Sequence, residues 1–258
     1  MNQQSEVKRL DKRIAVVTGA GSGIGRAAAL AYGREGAAVI VAGRRAAALE
    51  ETAAMITDVG GLAVACVADI SVESDVRNLV AQACDRFGRI DIAFNNAGIE
   101  GRFEPISDLS GSDFDEVVAV NLKGTWLCLK YELEAMRAGG GGVIINTSSF
   151  LASRPVAGSS IYATSKGGLE AMMKAVAQEA GPDGIRINNI YPGIIDTPMY
   201  RRMGDQGTLA RFAAATPLRR TGWPADIGEV AVWLATDQAK FVTGQSLTVD
   251  GGYTLTPG

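Results

Sequence analysis

Short apolar runs, rich in β-branched residues, alternate along the chain with longer amphipathic stretches. Ile14–Thr18, Ala38–Ala42, Ala63–Ala68, Ile90–Asn95, Gly142–Thr147, Arg186–Tyr191 and Ser246–Val249 read as strands. Most are nearly continuously apolar, as strands buried on both faces should be. The helical patterns between them are Ile24–Gly36, Ala46–Val59, Asp75–Phe87, a long stretch from near Asp113 to Arg137, then Ser160–Ala180 and Ala225–Asp237. Ser71 is a candidate cap for the third, with Glu73 and Asp75 near its positive end. Pro224 suits the start of the last, where its missing N–H costs nothing. Strand, helix, parallel strand, repeated in this way, predicts a doubly wound α/β sheet with helices on both faces. No linker divides residues 1–258, so one domain is expected. The glycines of 139–142 read as a turn between a helix and a strand. Residues 197–217 are the least regular part, with Met199, Tyr200, Met203, Leu209 and Phe212 set among arginines. Such a segment is expected to be a lid over a site; a peripheral helix pair is the alternative.

Composition removes several classes of function. The net charge of −3 comes with no basic stripe, which gives nucleic-acid binding no electrostatic support. The polar start of the chain has no apolar core of a signal peptide, and no run approaches the roughly 20 apolar residues of a membrane span. A cytoplasmic protein is expected. The three scattered cysteines (Cys66, Cys84 and Cys128) fit neither a disulfide framework nor a thiolate metal site. Histidine is absent altogether. This rules out Ser-His-Asp and Cys-His catalysis and any His-ligated metal. Acid–base chemistry falls to Tyr, Lys, Asp, Glu or Cys, and no metal is expected.

The first strand runs into Gly19-Ala20-Gly21-Ser22-Gly23-Ile24-Gly25 and then into a helix. Glycines there let the backbone approach a pyrophosphate, and the helix start offers N–H groups and positive potential. The spacing is not G-x-G-x-x-G, and no Lys-Ser/Thr pair follows to make a Walker loop. About 20 residues on, an NAD site carries an acid for the ribose 2′-hydroxyl. Here the segment reads Val41-Ala42-Gly43-Arg44-Arg45: the acid is missing and two arginines follow. A guanidinium suits a 2′-phosphate, which favours NADP(H), with NAD(H) as the alternative.

Tyr162 and Lys166 stand at i and i+4, on one helical face. A free phenol, pKa about 10, is a poor catalyst at neutral pH, and a nearby ammonium lowers that value. In a chain without histidine this pair is the best-placed acid–base device. Ser149 follows the fifth strand, at the edge where such sheets place their ligand crevice. With no G-x-S-x-G and no histidine, it reads as a donor to a carbonyl oxygen and not as a nucleophile. Asn121 interrupts an apolar helical pattern and needs polar partners; it reads as a capped kink or a water anchor.

Together these stretches resemble the short-chain dehydrogenase/reductase family. The carriers are Thr18–Gly25, Asn95-Asn96-Ala97-Gly98, Asn121, Ser149, Tyr162–Lys166, Pro192–Thr197 and Val249-Asp250-Gly251-Gly252, in the family's order from about Lys12 to Tyr253. The resemblance implies a Rossmann-type, seven-stranded parallel sheet and a homotetramer. It implies an oxidoreductase in which Tyr162 exchanges the proton at the substrate oxygen. Lys166 then lowers the tyrosine pKa and binds the nicotinamide ribose, Ser149 polarises the carbonyl and Asn121 holds a water. Gly19, Ser22, Gly23, Ile24 and Gly25 would hold the pyrophosphate end, with Arg44 and Arg45 at the 2′-position. Asp69 and Ile70 would contact the adenine, with Asn95, Ala97 and Gly98 bordering. Pro192, Gly193, Ile195 and Thr197 would hold the nicotinamide.

Two rival functions are a dinucleotide-binding regulator without catalysis and a dehalogenase-like lyase. The first predicts a broken tetrad, whereas Asn121, Ser149, Tyr162 and Lys166 are all present. The second lacks the cofactor glycines and has arginine for Lys166. Ile99, Phe103, Phe150, Leu151, Val156 and the stretch from Met199 to Phe212 are the expected pocket walls. They favour an apolar small-molecule ketone or secondary alcohol as partner.

Overall fold

The computed structural model describes residues 8–203 and 206–255. Seven strands form one parallel sheet: β1 (Ile14–Thr18), β2 (Ala38–Gly43), β3 (Leu62–Val67), β4 (Ile92–Asn95), β5 (Gly142–Thr147), β6 (Ile185–Pro192) and β7 (Ser246–Val249). Their order is β3-β2-β1-β4-β5-β6-β7. The order reverses between β1 and β4, the point at which a doubly wound sheet opens a crevice at its carboxyl edge. The central strands are buried on both faces, as their unbroken apolar runs require.

The helices are α1 (Gly23–Arg34), α2 (Ala46–Thr57), α3 (Glu73–Phe87), α4 (Gly111–Val118), α5 (Thr125–Gly139), α6 (Ser160–Ala180), α7 (Pro198–Met203), α8 (Gln206–Ala215) and α9 (Pro224–Ala235). Two apolar clusters fill the two sides of the sheet. One includes Tyr32, Val41, Phe94 and Ile227; the other includes Ile40, Leu79, Ile144 and Met173.

Three local expectations change. Ser71 does not cap α3: Val72 takes that position, and Ser71 donates through both N and Oγ to Asp69 Oδ1, at 2.9 and 2.7 Å. The long fourth helix is two α-helices joined by one π turn, Ala119–Gly124, which carries Asn121. A π turn inserts one residue and frees backbone groups, and it is common at functional sites. The stretch from 198 to 215 holds two helices, α7 and α8, and faces the cavity with Met199, Tyr200, Thr208 and Phe212. A helix pair and a cavity wall therefore coexist.

The polar pair Asn188-Asn189 in β6 has a structural role. Asn188 ties the strand to the loop before β7, donating to Val242 O at 2.9 Å and accepting from Gln245 N at 3.1 Å. Asn189 accepts from Asn146 Nδ2 at 3.1 Å, and Asn146 accepts from Asn95 Nδ2 at 3.2 Å. The amides thus cross β4, β5 and β6 inside the protein.

Candidate active site

A cavity of about 1020 Å³ lies over the carboxyl edge of the sheet, at the switch point. That is at the upper end for small-molecule sites and accommodates a dinucleotide together with a small substrate. Its floor is built from strand ends, so each side chain is aimed by the sheet.

At one end lies the glycine turn. Gly19 and Gly23 adopt φ of +66° and +54°, which side chains rarely tolerate. A Cβ on Gly25 would sit 2.4 Å from Gly19 O. Gly25 therefore allows α1 to close on the turn and is absent from the cavity wall, whereas Gly19, Ser22, Gly23 and Ile24 line it. Arg26 braces the turn, donating to Gly21 O at 2.8 Å and Glu51 Oε2 at 2.6 Å. Arg45 donates to Ser22 Oγ at 3.1 Å, and Arg44 lies 3.9 Å from Asp69 Oδ2; both arginines line this end. Burial works against ionisation of Asp69, but hydrogen bonds from Ser71 and the charge of Arg44 outweigh it and hold its pKa low.

Ile70, Ala97, Gly98, Pro192, Gly193, Ile195 and Thr197 also line the cavity. Asn95 does not. It is 4% exposed and turned into the interior, donating to Glu132 Oε2 at 2.9 Å. The neighbour, Asn96, lines the cavity instead. It locks three strand ends together: its N donates to Thr18 Oγ1, its Nδ2 to Thr18 O, and its Oδ1 accepts from Thr147 Oγ1. In a strand, side chains alternate faces, so of two adjacent asparagines only one can face the site.

In the middle of the cavity Ser149, Tyr162 and Lys166 share one wall. Ser149 follows β5, with Oγ accepting from Leu151 N at 3.2 Å. Tyr162 and Lys166 sit one turn apart on α6, with Nζ 5.9 Å from the tyrosine ring centre. Lys166 is 3% exposed, and Nζ donates to Thr147 O at 2.7 Å. Burial lowers its pKa to about 8. For Tyr162, burial dominates and pushes the pKa up to about 12; a hydrogen bond with Ser149 acts the other way, and the charge of Glu100 adds to the rise. The expected downward pull of Lys166 does not prevail in the protein alone.

Asn121 is fully buried and stands behind this wall, not in it. Its Nδ2 donates to Ile99 O at 2.9 Å and Ser165 Oγ at 3.1 Å, and its Oδ1 accepts from Ile99 N at 2.8 Å. The amide thus clamps the segment after β4 to α6. A Cβ on Gly98 would lie 3.1 Å from Asn121 Oδ1 and 3.4 Å from Lys166 Nζ, so this glycine keeps the three close.

The far end is aromatic. Phe103 lies against Tyr162, with ring centres 5.9 Å apart. Tyr200, Phe212, Tyr253 and Phe150 form a chain of edge contacts at 5.5–6.0 Å. Ile99, Leu151 and Val156 join them. Asn96, Glu100, Arg202 and Tyr253 also line the cavity without having been singled out from the sequence. Asn96 lies within a quoted motif, Glu100 lies two residues beyond it, and Arg202 falls in the 199–212 stretch expected as a wall; Tyr253 carried no signal. Among the described residues no group of acidic or cysteine side chains could hold a metal ion.

A family model described as enoyl-(acyl carrier protein) reductase matches residues 19–254. The chain is 35% identical over 246 residues to cyclohexanol dehydrogenase of Acinetobacter sp. (strain SE19), covering 95% of this chain and 96% of that protein. It is 36% identical over 257 residues to levodione reductase of Leifsonia aquatica, covering 96% of each. The crystal structure of 7α-hydroxysteroid dehydrogenase, complexed with NADH and 7-oxo glycochenodeoxycholic acid, superposes with a TM-score of 0.92. It is 33% identical and covers 97% of this chain and 98% of that one.

Proposed function

The chain belongs to the short-chain dehydrogenase/reductase family, and on that premise we propose that it transfers a hydride between NADP(H) and an apolar, ring-bearing ketone or secondary alcohol, with Tyr162 as general acid/base. One observation carries this reading: Ser149, Tyr162 and Lys166 meet on one wall of a cavity that runs from a glycine turn to an aromatic pocket. When bound, the nicotinamide supplies or accepts the hydride.

The chain does the rest. Gly19, Ser22, Gly23 and Ile24 present backbone at the start of α1 for the pyrophosphate. The conformations of Gly19 and Gly23, and the absence of a Cβ at Gly98, fit a group lying close along this floor. Asp69 and Ile70 flank the adenine end. Pro192, Gly193, Ile195 and Thr197 border the nicotinamide end. Lys166 is fixed by Thr147 O, which leaves its other N–H donors for ribose hydroxyls. Ser149 Oγ donates to the carbonyl oxygen and positions it for Tyr162. The phenol is a proton-bearing acid across the neutral range, since burial holds its pKa near 12. That state suits ketone reduction, in which Tyr162 gives its proton to the oxygen. In the reverse direction Tyr162 must first lose that proton, which the charge on Lys166 assists. Asn121, clamped to Ile99 and Ser165, keeps the tyrosine helix in register with the cavity floor.

The relatives named as acting on cyclohexanol and on levodione, and the steroid in the bound structure, are all ring compounds. The wall of Phe103, Phe150, Tyr200, Phe212 and Tyr253 suits the flat faces of such rings. NADP(H) is favoured over the NADH of the steroid enzyme because Gly43 has no carboxylate and Arg44 and Arg45 line that end. The same reading makes the enzyme cytoplasmic and homotetrameric; the exposed Phe114 on α4 and Trp126 on α5 give it apolar surface to bury. Among the described residues no helix is long and apolar enough to cross a membrane. The test is a panel of ring ketones and ring alcohols, followed at the nicotinamide absorbance with each cofactor. Turnover of ring ketones with NADPH is expected; no turnover of any ketone or alcohol with either cofactor would overturn the reading.

A further inference from the structure

Among the described residues of the cavity, Arg202 is the one cation at the aromatic end. Arg44 and Arg45 sit at the other end, beyond the glycine turn, and Lys166 lies in the middle, beside Tyr162. Arg202 is paired with Glu100 on a wall that is otherwise largely apolar. Arg202 Nε donates to Glu100 Oε1 at 2.8 Å, and Nη2 donates to Oε2 at 3.2 Å. The carboxylate is held in the wall, 19% exposed, and the guanidinium stands further out, 59% exposed. This side-on fork uses Nε and one edge of Nη2. Nη1 has no hydrogen-bond partner among the described residues, so a second, end-on fork of Nη1 and Nη2 is open. The neighbour Arg201 shows the contrast. It makes the same side-on fork to Asp196, at 2.6 and 2.9 Å, but does not line the cavity. Of two adjacent arginines on α7, one is an outer brace and one faces the cavity.

We propose that Arg202, oriented by Glu100, is a specificity-determining anion site that binds a carboxylate on the ring substrate, on the side away from the reacting carbonyl. The inference rests on the ketone reading above and deepens it. A guanidinium offers a planar, two-pronged match to a carboxylate. Because Glu100 neutralises the guanidinium, the site offers a hydrogen-bonding fork with little net positive charge, which suits a delocalised carboxylate better than a phosphate dianion. Glu100 also fixes the rotamer of Arg202, so little side-chain freedom is lost when the substrate arrives.

The test compares 4-oxocyclohexanecarboxylate with its methyl ester, in the presence of NADPH, for the wild type and for Arg202→Gln. Reading the acid-to-ester ratio of kcat/KM within each protein cancels any general effect of the substitution on folding or turnover. A charge-assisted fork predicts a wild-type preference for the acid of about ten- to a hundredfold, carried in KM. In Arg202→Gln the ratio is expected to fall to near one. A wild type with no preference, or a variant that keeps it, would overturn the proposal; the latter would leave the ion pair as a brace only. Calorimetric binding of cyclohexanecarboxylate against its methyl ester, on the cofactor-loaded protein, reads the same ratio without turnover. If no ketone is reduced, the ketone reading fails, and the binding ratio still decides the anion site. Equal binding of acid and ester by the wild type would also overturn it.

Discussion

At Gly43 the second strand ends beside the glycine turn, on the cavity wall. A Cβ built there meets Leu49 Cδ2 at 3.4 Å and Gly19 Cα at 3.9 Å, ordinary contacts that leave room for a longer side chain. An aspartate at that position would face a ribose 2′-hydroxyl and repel a 2′-phosphate. Arg44 and Arg45 do the opposite. Arg45 reaches back to Ser22 and Arg44 leans toward Asp69, so both stay over the cavity. Charge-assisted hydrogen bonds of this kind contribute about 1.5–3 kcal/mol, or roughly ten- to a hundredfold. The wild type is expected to show higher kcat/KM with NADPH than with NADH, and Gly43→Asp combined with Arg44→Ala to reverse that order. Steady-state kinetics with both cofactors check it; a wild type that prefers NADH would contradict the assignment. Residues of this kind were legible in the sequence because they sit at fixed offsets from the glycine turn. For Arg202 only the stretch was legible, since which of two adjacent arginines faces the cavity depends on how α7 folds back from β6.

At the scale of elements, α7 and α8 stand apart from the layers that flank the sheet. Their apolar side chains, Met199, Tyr200 and Phe212, are spent on the cavity. In sequence this erased the periodicity that marks a core-facing helix, and the stretch read as irregular. The strands were legible for the opposite reason: each is apolar over nearly its whole length because the sheet is covered on both sides. The π turn at Ala119–Gly124 was not legible, because a single inserted residue leaves the pattern of α4 and α5 almost unbroken. Asn121 was its only visible mark. Residues 197–217 are expected to be a lid, since Met199, Tyr200 and Phe212 wall the cavity and a lid moves to admit substrate. Hydrogen exchange should be faster there without ligand than with cofactor and substrate analogue. Equal protection in both states would make the pair a fixed wall.

Across the whole molecule, a buried polar row crosses the apolar interior. Glu132 on α5 accepts from Asn95, Asn95 donates to Asn146, Asn146 to Asn189, and Asn189 to Leu169 O on α6. It links two helices through three strands beneath the site. Asn95 Oδ1 is buried without a donor among the described residues. A neutral carboxylic acid can pair with a primary amide through two hydrogen bonds, so protonation of Glu132 would offer Asn95 Oδ1 the donor it lacks. Burial drives the same way and raises its pKa to about 7. The folded value lies above the unfolded value of about 4.3, so the acid form is favoured by folding. This contribution is complete below the unfolded pKa and is lost as pH rises through about 7. Relative to Glu132→Gln, the wild type should therefore lose about 4 kcal/mol across that window. Denaturant titrations at several pH values measure it, and parallel curves for the two proteins would contradict it. In sequence, Asn188-Asn189 is a polar pair in an otherwise apolar strand, with no visible cause. The cause lies in pairing across strands far apart in the chain, which no local pattern records.

The central claim is that Tyr162 moves the proton for a hydride transfer at this cavity. The most direct measurement is Tyr162→Phe, assayed for ketone reduction and, separately, for NADPH binding by fluorescence titration. Removing only the phenolic oxygen leaves the ring packed against Phe103 and the cofactor floor untouched. Cofactor affinity is expected to stay close to wild type and kcat to fall by about a hundred- to ten-thousandfold, the range for losing a general acid. A variant that keeps near-wild-type kcat would contradict it.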